Sequence, residues 1–238
     1  GETGTGKELV AHMLHRRSRR SPASLVAVNC AALPHELAEA ELFGSDLIDR
    51  ATGKLGQAGR IRSAHRGTLF LDEIDTMHAA VQAKLLRVIE EREVQPIGAA
   101  APEPVDLRLV AASKIDLMEA VRAGAFREDL YYRLNVVPLR LPPLRDRAED
   151  IPDLVRHFVQ QAEKEGLDAK RFDQEALELM KAHPWPGNVR ELENVVRRLT
   201  ALYPQDVITR EIIETELRAD IPDSPMEKAV VRSGPLSI

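Results

Sequence analysis

Apolar positions recur along this chain with two different periods, and the change of period divides it. Behind a glycine-rich opening, Leu9, Val10, Met13 and Leu14 return at helical spacing, and 24–28 is a short apolar strand that ends at Asn29. Residues 68–71 form a continuous apolar run, the pattern of a buried strand, closing on Asp72 and Glu73. Val81, Leu85, Leu86 and Ile89 give the next helix an apolar face. Residues 107–112 and 136–141 read as two further strands, before Pro142 and Pro143 break the pattern. Strand and helix thus alternate through 1–143, which predicts an α/β unit built on a parallel sheet. Beyond that point strands vanish: 151–165, 173–182, 188–203 and 209–217 all carry helical periodicity. They predict a small all-helical unit over 144–220. Residues 221–238 mix Pro, Ser and Gly without a sustained period and read as a linker toward a further module.

Composition narrows the class. With 44% hydrophobic and 30% charged residues the chain is globular, and no apolar run approaches the roughly 18–20 residues that span a bilayer. A net charge of −5 lacks the basic excess of a nucleic-acid-binding domain, although arginine is dense over 16–20. The single cysteine, Cys30, excludes a disulfide framework and a multi-cysteine zinc site, which fits a reducing cytosol; it is expected to be buried. The chain opens on Gly1 without an initiator Met or a signal peptide, so a piece of a longer protein is expected, with segments on both sides.

Two segments carry candidate chemistry. Gly1-Glu2-Thr3-Gly4-Thr5-Gly6-Lys7-Glu8 has the glycine spacing of a loop whose backbone N–H groups and following helix N-terminus cradle phosphates, with Lys7 reaching the terminal oxygens. Glu8 stands where a Ser or Thr hydroxyl would hold magnesium. The bare motif is therefore incomplete, and a plain glycine-rich turn before a helix stays open. The run 68–73 delivers two carboxylates at the C-terminal end of a strand, where ligands bind in open α/β sheets. There Asp72 would organise Mg2+ and Glu73 would polarise an attacking water; acids capping the next helix are the alternative.

Seven segments together carry a resemblance: GETGTGKE at 1–8, VNCAAL at 28–33, ELFG at 41–44, GTLFLDEI at 67–74, FREDLYYRLNV at 126–136, LPPLRDRAEDIP at 141–152 and WPGNVREL at 185–192. In these the chain resembles the central AAA+ ATPase domain of bacterial enhancer-binding transcription activators, the nitrogen-regulatory-protein-C type that works with sigma-54. The resemblance covers nearly all of the chain. It implies a P-loop AAA+ sheet flanked by helices and followed by a helical lid, with ATP and Mg2+ as cofactors and ATP hydrolysis coupled to transcription activation. It also implies a cytoplasmic homo-oligomer, a ring of six or seven subunits, acting on RNA polymerase holoenzyme and its sigma factor. DNA would be held only by a module beyond this chain, and a receiver domain would precede it. Glu8 is usual in that family's loop.

Residue roles follow by the same resemblance. Asn29 resembles the polar switch that holds the catalytic glutamate, here Glu73; an Asn capping a strand end is the bland alternative. Arg127 and Arg133 resemble the arginines that reach the neighbouring subunit's nucleotide. Six residues apart on a helix they lie about 240° apart, so they need not face one phosphate, and ordinary surface salt bridges are the alternative. Arg190 resembles the lid's sensor arginine; it follows Asn188, expected as N-cap of a helix with Glu191 three residues later. Trp185 reads as a packing anchor, and His65 and His183 as structural.

Two segments depart from the family. Where it carries Gly-Ala-Phe-Thr-Gly-Ala at the tip of a hairpin that touches sigma-54, this chain reads Ser45-Asp46-Leu47-Ile48-Asp49-Arg50-Ala51-Thr52-Gly53-Lys54. Arg50 replaces the aromatic, forfeiting roughly 1.5–3 kcal/mol of apolar burial. Because a few members of that family lacking this motif act with the housekeeping sigma factor, the resemblance implies that subtype here, and a conventional sigma-54-dependent activator is the alternative. Second, Ala112-Ser113-Lys114 stands where the family shows Thr-Asn or Thr-His, so an ammonium replaces a neutral sensor. Lys114 and the missing contact motif together motivate a further alternative, an ATP-dependent assembly module with little hydrolysis. A protein-threading unfoldase would want an aromatic pore loop, and none is evident.

Overall fold

The computed structural model describes residues 1–46, 56 and 58–219, which divide after Pro143 into two compact units. In the first unit the order is α1 (Lys7–Arg16), β1 (Leu25–Asn29), α2 (Ala38–Phe43), α3 (Arg60–Ser63), β2 (Thr68–Asp72), α4 (Ala79–Glu91), β3 (Glu93–Val94), β4 (Glu103–Pro104), β5 (Arg108–Ala111), α5 (Leu117–Arg122) and α6 (Glu128–Leu134). A parallel sheet runs β1-β2-β5, with Asn29 opposite Asp72 and Leu71 opposite Ala111. The central strand β2 is buried from Thr68 to Leu71 because helices cover both faces, which is why its sequence is an unbroken apolar run. Leu69, Leu71, Ile74, Leu85, Val88 and Leu130 join it in one core. β3 and β4 form a separate antiparallel pair.

Two details position the strand ends. A Cβ on Gly67 would sit 2.1 Å from the Ser24 carbonyl oxygen, so only glycine lets β2 enter beside β1 and lets the Thr68 amide donate to that oxygen at 2.9 Å. Gln82 is fully buried on α4; its amide donates to the carbonyls of Met77 and Ala125, and its Oε1 accepts from the Arg127 amide at 2.8 Å.

The strand expected over 136–141 does not form. Val136, Val137 and Leu139 are 75%, 77% and 60% exposed, and among the described residues the sheet consists of β1, β2 and β5. An extended apolar segment becomes a strand only where another strand offers its hydrogen bonds, and none lies beside this one among the described residues.

The second unit contains α7 (Ile151–Lys164), β6 (Arg171–Phe172), α8 (Gln174–Ala182), α9 (Asn188–Leu202), β7 (Val207–Ile208) and α10 (Arg210–Ala219). Ile151, Val155, Met180, Leu192, Val196 and Ile213 pack around the fully buried Trp185, whose indole N–H donates to the Met180 carbonyl at 2.7 Å. It differs from the wholly helical unit expected, because the extended residues leading into α8 and α10 run side by side as the parallel pair β6-β7. The start of α9 also differs by one residue. Gly187 is the N-cap, and its amide donates to Glu191 Oε2 at 2.7 Å. Asn188 instead sits buried at φ 57, accepting from the Leu144 amide through Oδ1 at 2.8 Å. Residues 47–54 of the loop that departs from the family, and the expected linker 221–238, lie outside the described residues.

Candidate functional site

The opening loop turns through Gly4 at φ 77 and Gly6 at φ 95, backbone conformations that favour glycine. Gly6 is the N-cap of α1 and, having no side chain, gives this ten-residue helix no side-chain cap. Thr5, buried, donates from Oγ1 to the Glu2 carbonyl at 2.8 Å, which closes the loop. Lys7 folds back, donating from Nζ to the carbonyls of Gly1 and Glu2, both at 2.8 Å. A Cβ on Gly1 would lie 2.8 Å from the Leu141 carbonyl oxygen, and the Gly1 nitrogen donates to the Ser113 carbonyl at 3.1 Å. The loop is thereby seated next to the C-terminal end of β5. Thr3 is exposed in the turn of the loop, and Glu8 is exposed on the first turn of α1, 4.0 Å from His12 Nε2.

At the end of β2, Asp72 Oδ1 accepts from the Glu73 amide at 2.9 Å. Glu73 adopts φ 50 and ψ 45, a left-handed conformation costly for a residue with a Cβ and characteristic of functional turns. Its carbonyl accepts from Thr76 Oγ1 at 2.8 Å, and its Oε2 from the Lys114 ammonium at 3.0 Å. That hydrogen bond, with the Glu73 charge behind it, pushes the Lys114 ammonium above the ordinary lysine value. Asn29, by contrast, spends Oδ1 on the amides of Ala31 at 2.9 Å and Ala32 at 3.3 Å, capping the short helical turn that follows β1. No hydrogen bond joins Asn29 to Glu73 among the described residues; the group brought to Glu73 is Lys114. Cys30 is buried as expected, and burial together with the charges of Asp72, Asp75 and Glu73 pushes its thiol up to about 12, leaving it neutral and inert.

Arg127 stands one residue before α6 with extended backbone, so the helical angle between it and Arg133 does not describe them. Its guanidinium grips Asp129 through Nε at 3.0 Å and Nη2 at 2.7 Å, and this contact holds the Asp129 carboxyl below the usual carboxylate range. Arg133 Nε donates to Glu90 Oε1 on α4 at 3.0 Å. Arg190 is exposed on the first turn of α9, in the second unit. His65 accepts from the Asp106 amide at 3.3 Å and His183 packs edge-on against Trp185. Asp129, Glu90 and Gln82 were not visible as partners in the sequence; a Gln on the apolar face of α4 beside Val81 and Leu85 is the one signal that marked any of them. Among the described residues no three His, Cys, Asp or Glu side chains are grouped to hold a metal ion by themselves, and no helix is long and apolar enough to cross a membrane.

Residues 1–140 match the sigma-54 interaction domain, and 145–229 match an AAA+ ATPase lid domain. The chain is 66% identical over its full length to the DNA-binding transcriptional regulator NtrC of Rhizobium meliloti (strain 1021), covering 49% of it. It is 49% identical, over 84% of its length, to the C4-dicarboxylate transport transcriptional regulatory protein DctD of the same organism, covering 44% of that protein. NtrX from Brucella abortus in complex with ATP is similar in structure, with a TM-score of 0.80 and 36% identity over 91% of this chain and 50% of that one. The chain spans about half the length of the curated relatives it matches. With both units matched in order, the chain belongs to the sigma-54 interaction domain family of AAA+ ATPases, of the NtrC type.

Proposed function

We propose that this chain binds ATP with Mg2+ and hydrolyses it within a ring of identical subunits, and that the cycle drives transcription activation on RNA polymerase holoenzyme. The observation that carries this reading is the seating of the uncapped Gly1–Gly6 loop and Lys7 beside the end of the sheet where β2 delivers Asp72 and Glu73. Gly1, Glu2, Thr3, Gly4, Thr5 and Gly6 wrap the phosphates, Lys7 leaves its carbonyl partners for the terminal oxygens, and Glu8 stands in the first turn of α1 beneath them. Asp72 would hold Mg2+ in company with nucleotide oxygens, since one or two carboxylates suffice when phosphates complete the shell, even though residue 8 offers no hydroxyl. When bound, the ion neutralises charge on the phosphate oxygens. Glu73 orients water for in-line attack on the terminal phosphorus and takes up its proton as the bond to the bridging oxygen breaks and ADP departs.

Arg127 and Arg133 act on the neighbouring subunit's nucleotide after leaving Asp129 and Glu90, and Arg190 contributes from the lid. Asn29 in this reading is a switch whose present state is the capping one. DNA is held by a module outside this chain, and the whole works in the cytoplasm. For the sigma factor, the match of residues 1–140 to the sigma-54 interaction domain favours sigma-54. The contrary expectation, the housekeeping factor, rests on Arg50 and its neighbours, which lie outside the described residues, and gains no support from the relatives. A second reading, ATP-dependent assembly with little hydrolysis, is favoured by one observation, the Lys114 ammonium on Glu73. Turnover by the full-length protein separates them: the first reading expects ATP hydrolysis that Glu73→Gln abolishes while ATP binding persists, the second expects binding without turnover in both.

A further inference from the structure

We propose that Lys114 is a positioning residue that restrains Glu73, a brake on hydrolysis built into each subunit. This rests on the reading of Glu73 as the group that activates water.

Backbone hydrogen bonds fix the two residues relative to one another. β5 ends at Ala111, yet its ladder to β2 continues: the Ala112 amide donates to Leu71 at 2.8 Å, and the Ile74 amide donates to Ala112 at 3.0 Å. These bonds bracket Glu73, so its turn and the segment carrying Lys114 form one framework. Ser113 Oγ donates to the Ile115 carbonyl at 2.9 Å and accepts from the Ile115 amide at 3.1 Å, and the Lys114 amide lies 3.4 Å from Asp75 Oδ1. The loop is therefore held by its own hydrogen bonds. Glu73 is held at φ 50, and its Oε2 lies 3.0 Å from Lys114 Nζ.

Two other polar groups proposed for the site are committed elsewhere. The Lys7 ammonium is bound by two backbone carbonyls, and Asn29 Oδ1 caps the turn after β1. The restraint on the carboxylate is thus ionic and comes from Lys114. One of the two carboxylate oxygens that could take the water's proton is occupied by an ammonium. The two side chains are 42% and 24% exposed, so the pair is weak and reversible, a brake that slows turnover without stopping it.

The test compares kcat and ATP Kd of the full-length protein with Lys114→Met, Lys114→Arg, Glu73→Gln and the double variant Lys114→Met/Glu73→Gln. Lys114→Met is expected to raise kcat roughly two- to fivefold, the range set by an exposed ion pair, with ATP Kd within about twofold of the parent. Lys114→Arg restores the pair and brings kcat back toward the parent value, and the double variant stays inactive. If Glu73→Gln is inactive while Lys114→Met hydrolyses at or below the parent rate, the brake is refuted and the role of Glu73 survives. If Lys114→Met loses ATP binding, Lys114 holds nucleotide or structure and the proposal fails. If Glu73→Gln turns over at the parent rate, the role of Glu73 falls and the brake with it.

Discussion

His15 Nδ1 lies 2.9 Å from Thr68 Oγ1, and both side chains are buried. This bond ties the last turn of α1, the helix that opens with Lys7, to the first residue of β2, the strand that ends in Asp72. The Gly1–Gly6 loop and the acidic pair are therefore held on one frame from the far end of both elements.

Thr68→Val keeps the shape and removes the partner, leaving a buried imidazole nitrogen unsatisfied. It is expected to destabilise the protein by about 1–3 kcal/mol. Denaturant unfolding of parent, Thr68→Val, His15→Leu and the double variant measures it, and the double variant is expected to lose less than the sum of the single losses. Strict additivity would mean that the two groups do not interact.

Arg20 donates to Asp106 Oδ1 at 2.6 Å, and this hydrogen bond, with the charges of Arg20 and Arg92, holds the Asp106 carboxyl below its ordinary value. A carboxyl lowered in the folded state binds its proton more readily unfolded. Its contribution is fully present above the ordinary value and is lost as pH falls through the lowered one. The melting-temperature difference between parent and Asp106→Asn is expected to be constant above about pH 5 and to shrink below about pH 4. A difference that grows on acidification would contradict the pairing.

Arg127 and Arg133 are parked on Asp129 and Glu90 of their own chain. If they work across a subunit boundary, each active site combines Glu73 of one subunit with the arginines of the next. Arg127→Ala alone and Glu73→Gln alone are each expected to lose turnover, by roughly 10³-fold or more for the arginine. Mixing the two is expected to recover part of it, because some interfaces then pair an intact Glu73 with an intact Arg127. No recovery in mixed rings, shown to form by sedimentation, would place Arg127 in its own subunit's site.

Much of this arrangement was legible in the sequence where the signal was local. The buried strand β2 showed as an unbroken apolar run, and the Gly4 and Gly6 turns showed in the glycine spacing. What depends on partners was not. Residues 136–141 have the composition of a strand, but a strand is made by its neighbour. Glu73 and Lys114 meet because β2 and β5 lie in register, with Leu71 beside Ala111; no periodicity announces a pair 41 residues apart. The α9 cap moved from Asn188 to Gly187 because Asn188 is drawn to the Leu144 amide, a contact 44 residues away. β6 and β7, at two residues each, are too short to show a period.

Open-complex formation at a sigma-54 promoter, with purified sigma-54 holoenzyme and the full-length protein, probes hydrolysis and partner together. The parent is expected to open the promoter with ATP and not with a non-hydrolysable analogue, and Glu73→Gln is expected to fail with both. Opening that occurs without ATP hydrolysis, or that Glu73→Gln supports at the parent level, or that appears only with the housekeeping holoenzyme, would contradict ATP-driven activation through sigma-54.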